Sequence, residues 1–287
     1  MAVSHLLFAA LAGIVVFLAV QTTNKSIPLD THKTGLTVDQ IYQRTSNSSR
    51  VGQITLKYGT GSRHHSPELE YLNNKTLETH LHYARRWGNA LWIGKEEILI
   101  GPQDGSTTGM WSKQALVLSI ILDELRKPKE SRLEWLSYAD VDAIFANQNV
   151  PLDTFLPPDN EFGQGISLLT NIDRWGTLNA GSFMFRVSQD SVRMLTAHLS
   201  YPFIEESKGH KFWMGEQSAM AALMKNPHLR EKAAIVPAHW LNPVSITVLT
   251  SRIGTTSYFD HLVVQRTHMH TSIQRISMMS SIINTAI

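Results

Sequence analysis

Residues 133–151 read LEWLSYADVDAIFANQNVP. An apolar, aromatic-containing run, Trp135-Leu136-Ser137-Tyr138, leads straight into Asp140-Val141-Asp142. The pattern predicts a strand that ends in two carboxylates one residue apart, which puts hard oxygen ligands at the rim of a sheet. A divalent cation holding a diphosphate needs such ligands, because Mg²⁺-type ions are shared between one or two carboxylates and substrate phosphates. In an open α/β sheet, ligands also bind at the rim outside the strand carboxyl ends. Two aspartates after a strand equally suit a solvated turn, and the tripeptide alone does not separate the readings.

Strands and helices alternate outward from this stretch. Val51–Tyr58 (VGQITLKY) predicts a first strand, with Gly59 and Gly61 either making a turn or letting backbone approach a phosphate. Pro67–Trp87 predicts a helix, with Pro near its first turn and Gly88 past its end. Ala90–Ile93 predicts a second strand. Trp111–Leu125 predicts a strongly apolar helix burying Leu116, Ile120, Ile121 and Leu125. Gly181–Arg186 predicts a buried strand, Ser191–Leu199 a helix, Gly215–Met224 a helix with an acidic first turn, and Ala234–Val236 a short strand. The fold class expected is α/β, a sandwich around a largely parallel sheet.

Composition agrees with this and excludes several chemistries. The chain has 287 residues, 43% hydrophobic and 17% charged, enough for one α/β domain with a sizeable core or at most two small ones. A net charge of +2 without a dense Lys/Arg run gives no ground for a nucleic-acid partner. With no cysteine there is no disulfide framework, thiolate zinc site or cysteine nucleophile.

Leu6–Val20 (LLFAALAGIVVFLAV) is uncharged and apolar throughout. The apolar stretch counted from Val3 has 18 residues, about 27 Å as a helix, close to the core of a thin endoplasmic-reticulum-type bilayer. A signal anchor is the expectation. A cleaved signal peptide fits less well, since Phe17 would stand at the −3 position for cleavage after Ala19. A buried core helix is the third reading. Lys25 and Lys33 follow the segment, a charge bias the positive-inside rule reads the other way. The sequons at Asn24, Asn47 and Asn74 favour a lumenal body carrying N-linked glycans. Gln21–Arg50 is a polar stretch with too little apolar surface to fold alone.

Seven segments taken in order resemble glycosyltransferase family 34, the fungal Golgi α-galactosyl- and α-mannosyltransferases. They are ITLKYG, LETHLHYARRWGN, MWSKQALVLSIILDEL, LEWLSYADVDAIFANQNVPLDTFLPP, LNAGSFMFRV, GEQSAM and VPAHWLN, and they span about Val51 to Asn242. The resemblance implies a GT-A, Rossmann-like nucleotide-sugar-binding fold behind an N-terminal transmembrane helix. It implies a single-pass type II protein of the Golgi membrane with a lumenal body. The layout would be a signal anchor over residues 1–20, a stem over 21–50, a catalytic domain over 51–243 and a divergent tail over 244–287. It further implies a donor of UDP-galactose or GDP-mannose, Mn²⁺ (or Mg²⁺), a glycan or glycoprotein acceptor, retention of configuration, and other glycosyltransferase subunits as possible partners.

Carried over residue by residue, Asp140 and Asp142 match the family's metal and nucleotide-sugar motif, Asp142 as the more direct metal ligand and Asp140 nearer the ribose. Lys113 matches a basic position able to place a point charge near the phosphates. Tyr58 and Gly59 match the end of the first strand, where the nucleotide would lie. Asn179-Ala180-Gly181 matches the segment lining the donor sugar. Gly181 permits close approach, and the Asn179 amide suits sugar hydroxyls. Asp173 is a candidate sugar or acceptor contact, although the spacing from it to Asn179 is one residue longer than the commoner family pattern. Glu216-Gln217 matches an acidic-Gln pair opening a helix, where a carboxylate could stabilise oxocarbenium-like charge. A first-turn acid favoured by the helix dipole explains Glu216 equally. Arg186 and Trp240 are assigned to structure.

The family's C-terminal segment, G-D-L-L-x-H-F-x-G, has a His that completes the metal site. Here His261, in FDHLVV, is the nearest counterpart, with His268 and His270 as further candidates. That departure keeps open a second reading, a non-catalytic subunit or impaired member on the same fold. An Asp-x-Asp phosphohydrolase fits less well, because the motif lies mid-chain without a second acidic cluster downstream. A calcium loop lacks the required Gly and Glu spacing.

Overall fold

In a computed structural model, residues 38–42, 49–57, 67–95, 110–173, 176–206, 215–241 and 264–266 are described. The strands are β1 (Val38–Tyr42), β2 (Val51–Leu56), β3 (Leu91–Gly94), β4 (Trp135–Ala139), β5 (Ala143–Phe145), β6 (Leu168–Thr170), β7 (Ser182–Arg186), β8 (Ala233–Ile235) and β9 (Val264–Arg266). The α-helices are α1 (Pro67–Trp87), α2 (Ser112–Arg126), α3 (Glu161–Gly165), α4 (Gln189–Glu206), α5 (Gly215–Leu223), α6 (Pro227–Arg230) and α7 (Ala238–Leu241).

Seven strands form one sheet in the order β1-β3-β2-β4-β7-β6-β8, and β5 pairs with β9 apart from it. The sheet is mixed, which corrects the expectation of a largely parallel one. Strand β2 runs parallel to β3 and β4, and β6 parallel to β8, while β1–β3, β4–β7 and β6–β7 are antiparallel. Burial patterning reports which residues face the core, not which way a strand runs. The link from β6 to β7, residues 171–181, is shorter than parallel crossovers usually need.

Side chains on β4 alternate between two packed layers, as the two-residue strand period requires. Trp135 and Ala139 join Val51, Tyr83, Phe145 and Met184 on the α1 side. Leu136 and Tyr138 join Ile54, Leu116, Ile121, Phe185 and Leu195 on the α2 and α4 side. Leu136 is fully buried, so truncating it to Ala would cost about 2–5 kcal/mol. Helix α1 has the predicted bounds and ends at Gly88, whose φ of 68° an L side chain rarely adopts.

Strand β1 lies within the stretch read as a stem, and β9 within the C-terminal tail. Asn74 is exposed on α1 and accepts a hydrogen bond from Lys57, whereas the hydroxyl of Thr76 in the same sequon is buried and donates to the Leu72 carbonyl. Among the described residues no helix is long and apolar enough to cross a membrane. Leu6–Val20, Asn24, Asn47, Tyr58, Gly59 and His261 lie outside the described residues.

Candidate active site

The carboxyl end of β4 and the amino end of β7 share one rim because the two strands are antiparallel. The Asp140 amide donates to the Gly181 carbonyl at 2.8 Å, carrying the ladder one step past β4. The Ala143 amide then donates to the Asp140 carbonyl at 2.9 Å. This closes a four-residue turn with Asp142 at its third position. Asp140 Oδ1 accepts from the Tyr138 hydroxyl at 2.9 Å and faces the Lys113 ammonium at 3.3 Å.

Lys113 enters from the first turn of α2 and is the hub of the site. Its Nζ lies 2.9 Å from Glu216 Oε1 in the first turn of α5 and donates to the Ala180 carbonyl at 3.0 Å. An ammonium has three N–H donors, and the Asp140, Glu216 and Ala180 oxygens are three acceptors. The Lys113 and Glu216 side chains are only 7% and 2% exposed, against 14% for Asp140. The ammonium therefore acts beneath the rim, between two carboxylates drawn from different elements.

The other half of the rim is built from the link between β6 and β7. Asn179 Oδ1 accepts from the Gly181 and Ser182 amides at 2.6 and 3.1 Å, so this buried side chain holds the bend into β7. Gln217 on α5 accepts from the Ala180 amide at 3.3 Å and donates to Asp173 Oδ2 at 3.1 Å and to the Thr177 hydroxyl at 2.8 Å. Asp173 also accepts from the Thr177 amide and hydroxyl at 3.0 and 2.9 Å. The longer spacing from Asp173 to Asn179 closes as a turn: the Asp173 amide donates to the Thr177 carbonyl at 2.8 Å, and Gly176 has φ 76°. Asn179 thereby keeps its place, its amide 2.9 Å from the Asn171 carbonyl.

Lys113, Asp140, Asp173, Asn179, Gly181, Glu216 and Gln217 thus converge, with Asp142 in the adjoining turn. Behind Glu216, buried His198 donates from Nε2 to the Glu216 carbonyl at 2.8 Å and packs on Trp111 with ring centroids 5.1 Å apart. Burial pushes the His198 pKa down to about 4, so the ring is neutral. Glu216 Oε2, His198 Nδ1 and Trp111 Nε1 are buried without a hydrogen-bond partner, an unusual density of unmet polar atoms beneath one rim. Arg186 serves structure, lying 4.6 Å over the Trp135 ring and donating to the Ile166 and Gly163 carbonyls. Trp240 packs on Phe155.

The chemistry of Asp140 and Asp142 fits a hard divalent cation, which protein sites commonly hold through one or two carboxylates plus substrate phosphates. Asp140 Oδ1 is engaged by Tyr138 and Lys113. Among the described residues, no group of three or more His, Cys, Asp or Glu side chains is placed to hold a metal.

Sequence reasoning missed Tyr138 and His198 as supports of the site. Tyr138 reads as a core aromatic, and its hydroxyl reaches Asp140 only because residues two apart on a strand share a face.

The mixed α/β, Rossmann-like sheet, with acidic residues past the carboxyl end of its central strand, is a fold this chain shares with a solved glycosyltransferase. Among solved structures, the chain is similar to a glycosyltransferase involved in the glycosylation of the major capsid of PBCV-1. The TM-score is 0.56 at 15% sequence identity, over 80% of this chain and 99% of that one. At this identity the likeness shows the fold. No family model matches the chain, and no curated protein matches it.

Proposed function

We propose that this chain is a metal-dependent glycosyltransferase that moves galactose or mannose from UDP-galactose or GDP-mannose to a glycan acceptor with retention of configuration. The observation that carries the reading is the convergence of Asp140, Glu216 and the Ala180 carbonyl on Lys113 at the end of β4, beside Asp142 and Asp173. The seven ordered segments resembling family 34 support the same reading, and with it a Golgi membrane location and a lumenal body.

Asp142, aided by Asp140, would hold Mn²⁺ or Mg²⁺, which when bound neutralises a departing nucleoside diphosphate. Lys113 fixes the spacing between Asp140 and Glu216 and so keeps the rim carboxylates from drifting apart. Asp173, held by Thr177 and Gln217, offers an oriented acceptor for sugar hydroxyls. The acceptor hydroxyl attacks from the face the leaving group vacates, and the departing phosphate oxygen takes its proton.

The test is to incubate the purified chain with each donor, Mn²⁺ and a mannoside acceptor, and to read the anomeric configuration of the product by NMR. Transfer should require the metal and vanish in Asp142→Ala. Full transfer by a folded Asp142→Ala variant overturns the mechanism. The second reading, a non-catalytic subunit, is favoured by the departure of the C-terminal sequence from the family's G-D-L-L-x-H-F-x-G segment. It predicts that neither donor is consumed and that no nucleoside diphosphate binds in the presence of Mn²⁺.

A further inference from the structure

One face of α1 grips the segment that follows Asp142. The Thr79 hydroxyl accepts from the Phe145 amide at 3.3 Å, and the Tyr83 hydroxyl donates to the Val150 carbonyl at 2.6 Å. Trp87 Nε1 donates to the Gln148 carbonyl at 3.1 Å. His80 makes the contact nearest the carboxylates. Its Nε2 lies 2.6 Å from the Ala143 carbonyl, and its ring meets Phe145 edge-on at 4.9 Å. A carbonyl only accepts, so this Nε2 carries the proton and donates it. His80 is 1% exposed, and burial holds its pKa near 4, which keeps the ring in the neutral tautomer this bond requires.

Ala143 is the last residue of the turn that carries Asp142. At the other end of that turn, the Asp140 amide is fixed to the carbonyl of Gly181, the residue before β7. The bonds to Gly181 and from His80 therefore flank Asp142, beside the pairing of Ala143 with Arg266 on β9.

We propose that His80 is a positioning residue for Asp142: by holding the Ala143 carbonyl it fixes the turn in the orientation that binds a divalent cation. This rests on the reading of Asp142 as a metal ligand. Partners that orient ligating groups typically contribute tenfold or more to metal affinity.

Mn²⁺ binding to the purified chain, followed by electron paramagnetic resonance with UDP present, tests the role. Circular dichroism verifies the fold of each variant. His80→Leu should weaken Mn²⁺ binding about tenfold, and His80→Gln, which keeps an N–H donor of similar reach, should recover most of it. Tyr83→Phe breaks a bond of the same helix farther from the turn, and should lower the melting temperature while leaving Mn²⁺ affinity unchanged. If His80→Leu does not fold, His80→Asn, whose shorter amide stops short of Ala143, takes its place with the same expectation. Parent-like Mn²⁺ binding in His80→Leu, when Asp142→Ala has lost it, would make His80 an anchor of the fold alone and overturn the proposal. An equal loss in Tyr83→Phe would overturn it too. Undiminished binding in Asp142→Ala would instead remove the metal reading itself, and the positioning role with it.

Discussion

Lys113 and Glu216 meet at 2.9 Å with both side chains almost wholly withdrawn from water. Removing one member of such a pair leaves the other as an uncompensated buried charge, at a cost of about 3–5 kcal/mol. Lys113→Met should therefore lose about that much stability, read as a shift in the urea unfolding midpoint. The double variant Lys113→Met/Glu216→Gln should lose less than the sum of its single changes, because the second change removes the stranded charge.

The Tyr138 hydroxyl is a lighter support. Tyr138→Phe removes one hydrogen bond to Asp140 and leaves the ring stacked on Phe183 at 5.0 Å. A stability loss of about 1 kcal/mol is expected, together with weaker Mn²⁺ binding, measured by titration beside the parent.

Two buried histidines give the chain a pH signature. Burial lowers both His80 and His198 from 6.5 to about 4. Between these values the unfolded chain binds protons that the folded chain does not, so stability rises with pH across the window. The contribution is fully present above about 6.5 and lost as the pH falls towards about 4, on the order of 3 kcal/mol for each residue. Urea midpoints from pH 4.5 to 7 should show the slope, and His80→Gln should flatten part of it.

Gly163 is a steric requirement. A Cβ there would lie 1.8 Å from the Pro158 carbonyl oxygen, which belongs to backbone and cannot swing aside. The Gly163 amide also donates to Asn160, and its carbonyl accepts from Arg186. Gly163→Ala should destabilise the chain by about 3 kcal/mol, measured as a lower melting temperature.

The elements that were legible in the sequence are those with long periods or strong punctuation. Helix α1 has Pro67 at its start and Gly88 at its end, and its predicted and observed bounds coincide. The strand into Asp140 stood out because five consecutive buried residues, Trp135–Ala139, are bounded by charged or polar neighbours. Strands β5 and β6 have three residues each, too short to display a period. Strand β1 hid in a polar stretch because an edge strand needs few apolar residues. Within the site, the acidic and amide positions were legible as types. That Lys113 faces two carboxylates from β4 and α5 was not, because it depends on how α2 and α5 pack together. His80 was invisible for a related reason. In LETHLHYARRW its spacing to Thr76 and Tyr83 marks only a buried helix face, and nothing local says that a turn sixty residues later lies against it.

For the proposed reaction, the electrostatics of the rim set an order of arrival. Among the described residues, one ammonium, Lys113, faces the carboxylates of Asp140 and Glu216. Counted formally, these three groups carry a net negative charge before any ligand enters. A nucleoside diphosphate approaching alone meets repulsion in a region of reduced dielectric, whereas one already chelated to its cation brings the compensating charge with it. Initial-rate kinetics in which donor and metal are varied together should therefore follow the concentration of the metal–nucleotide chelate, with free nucleotide a poor competitor.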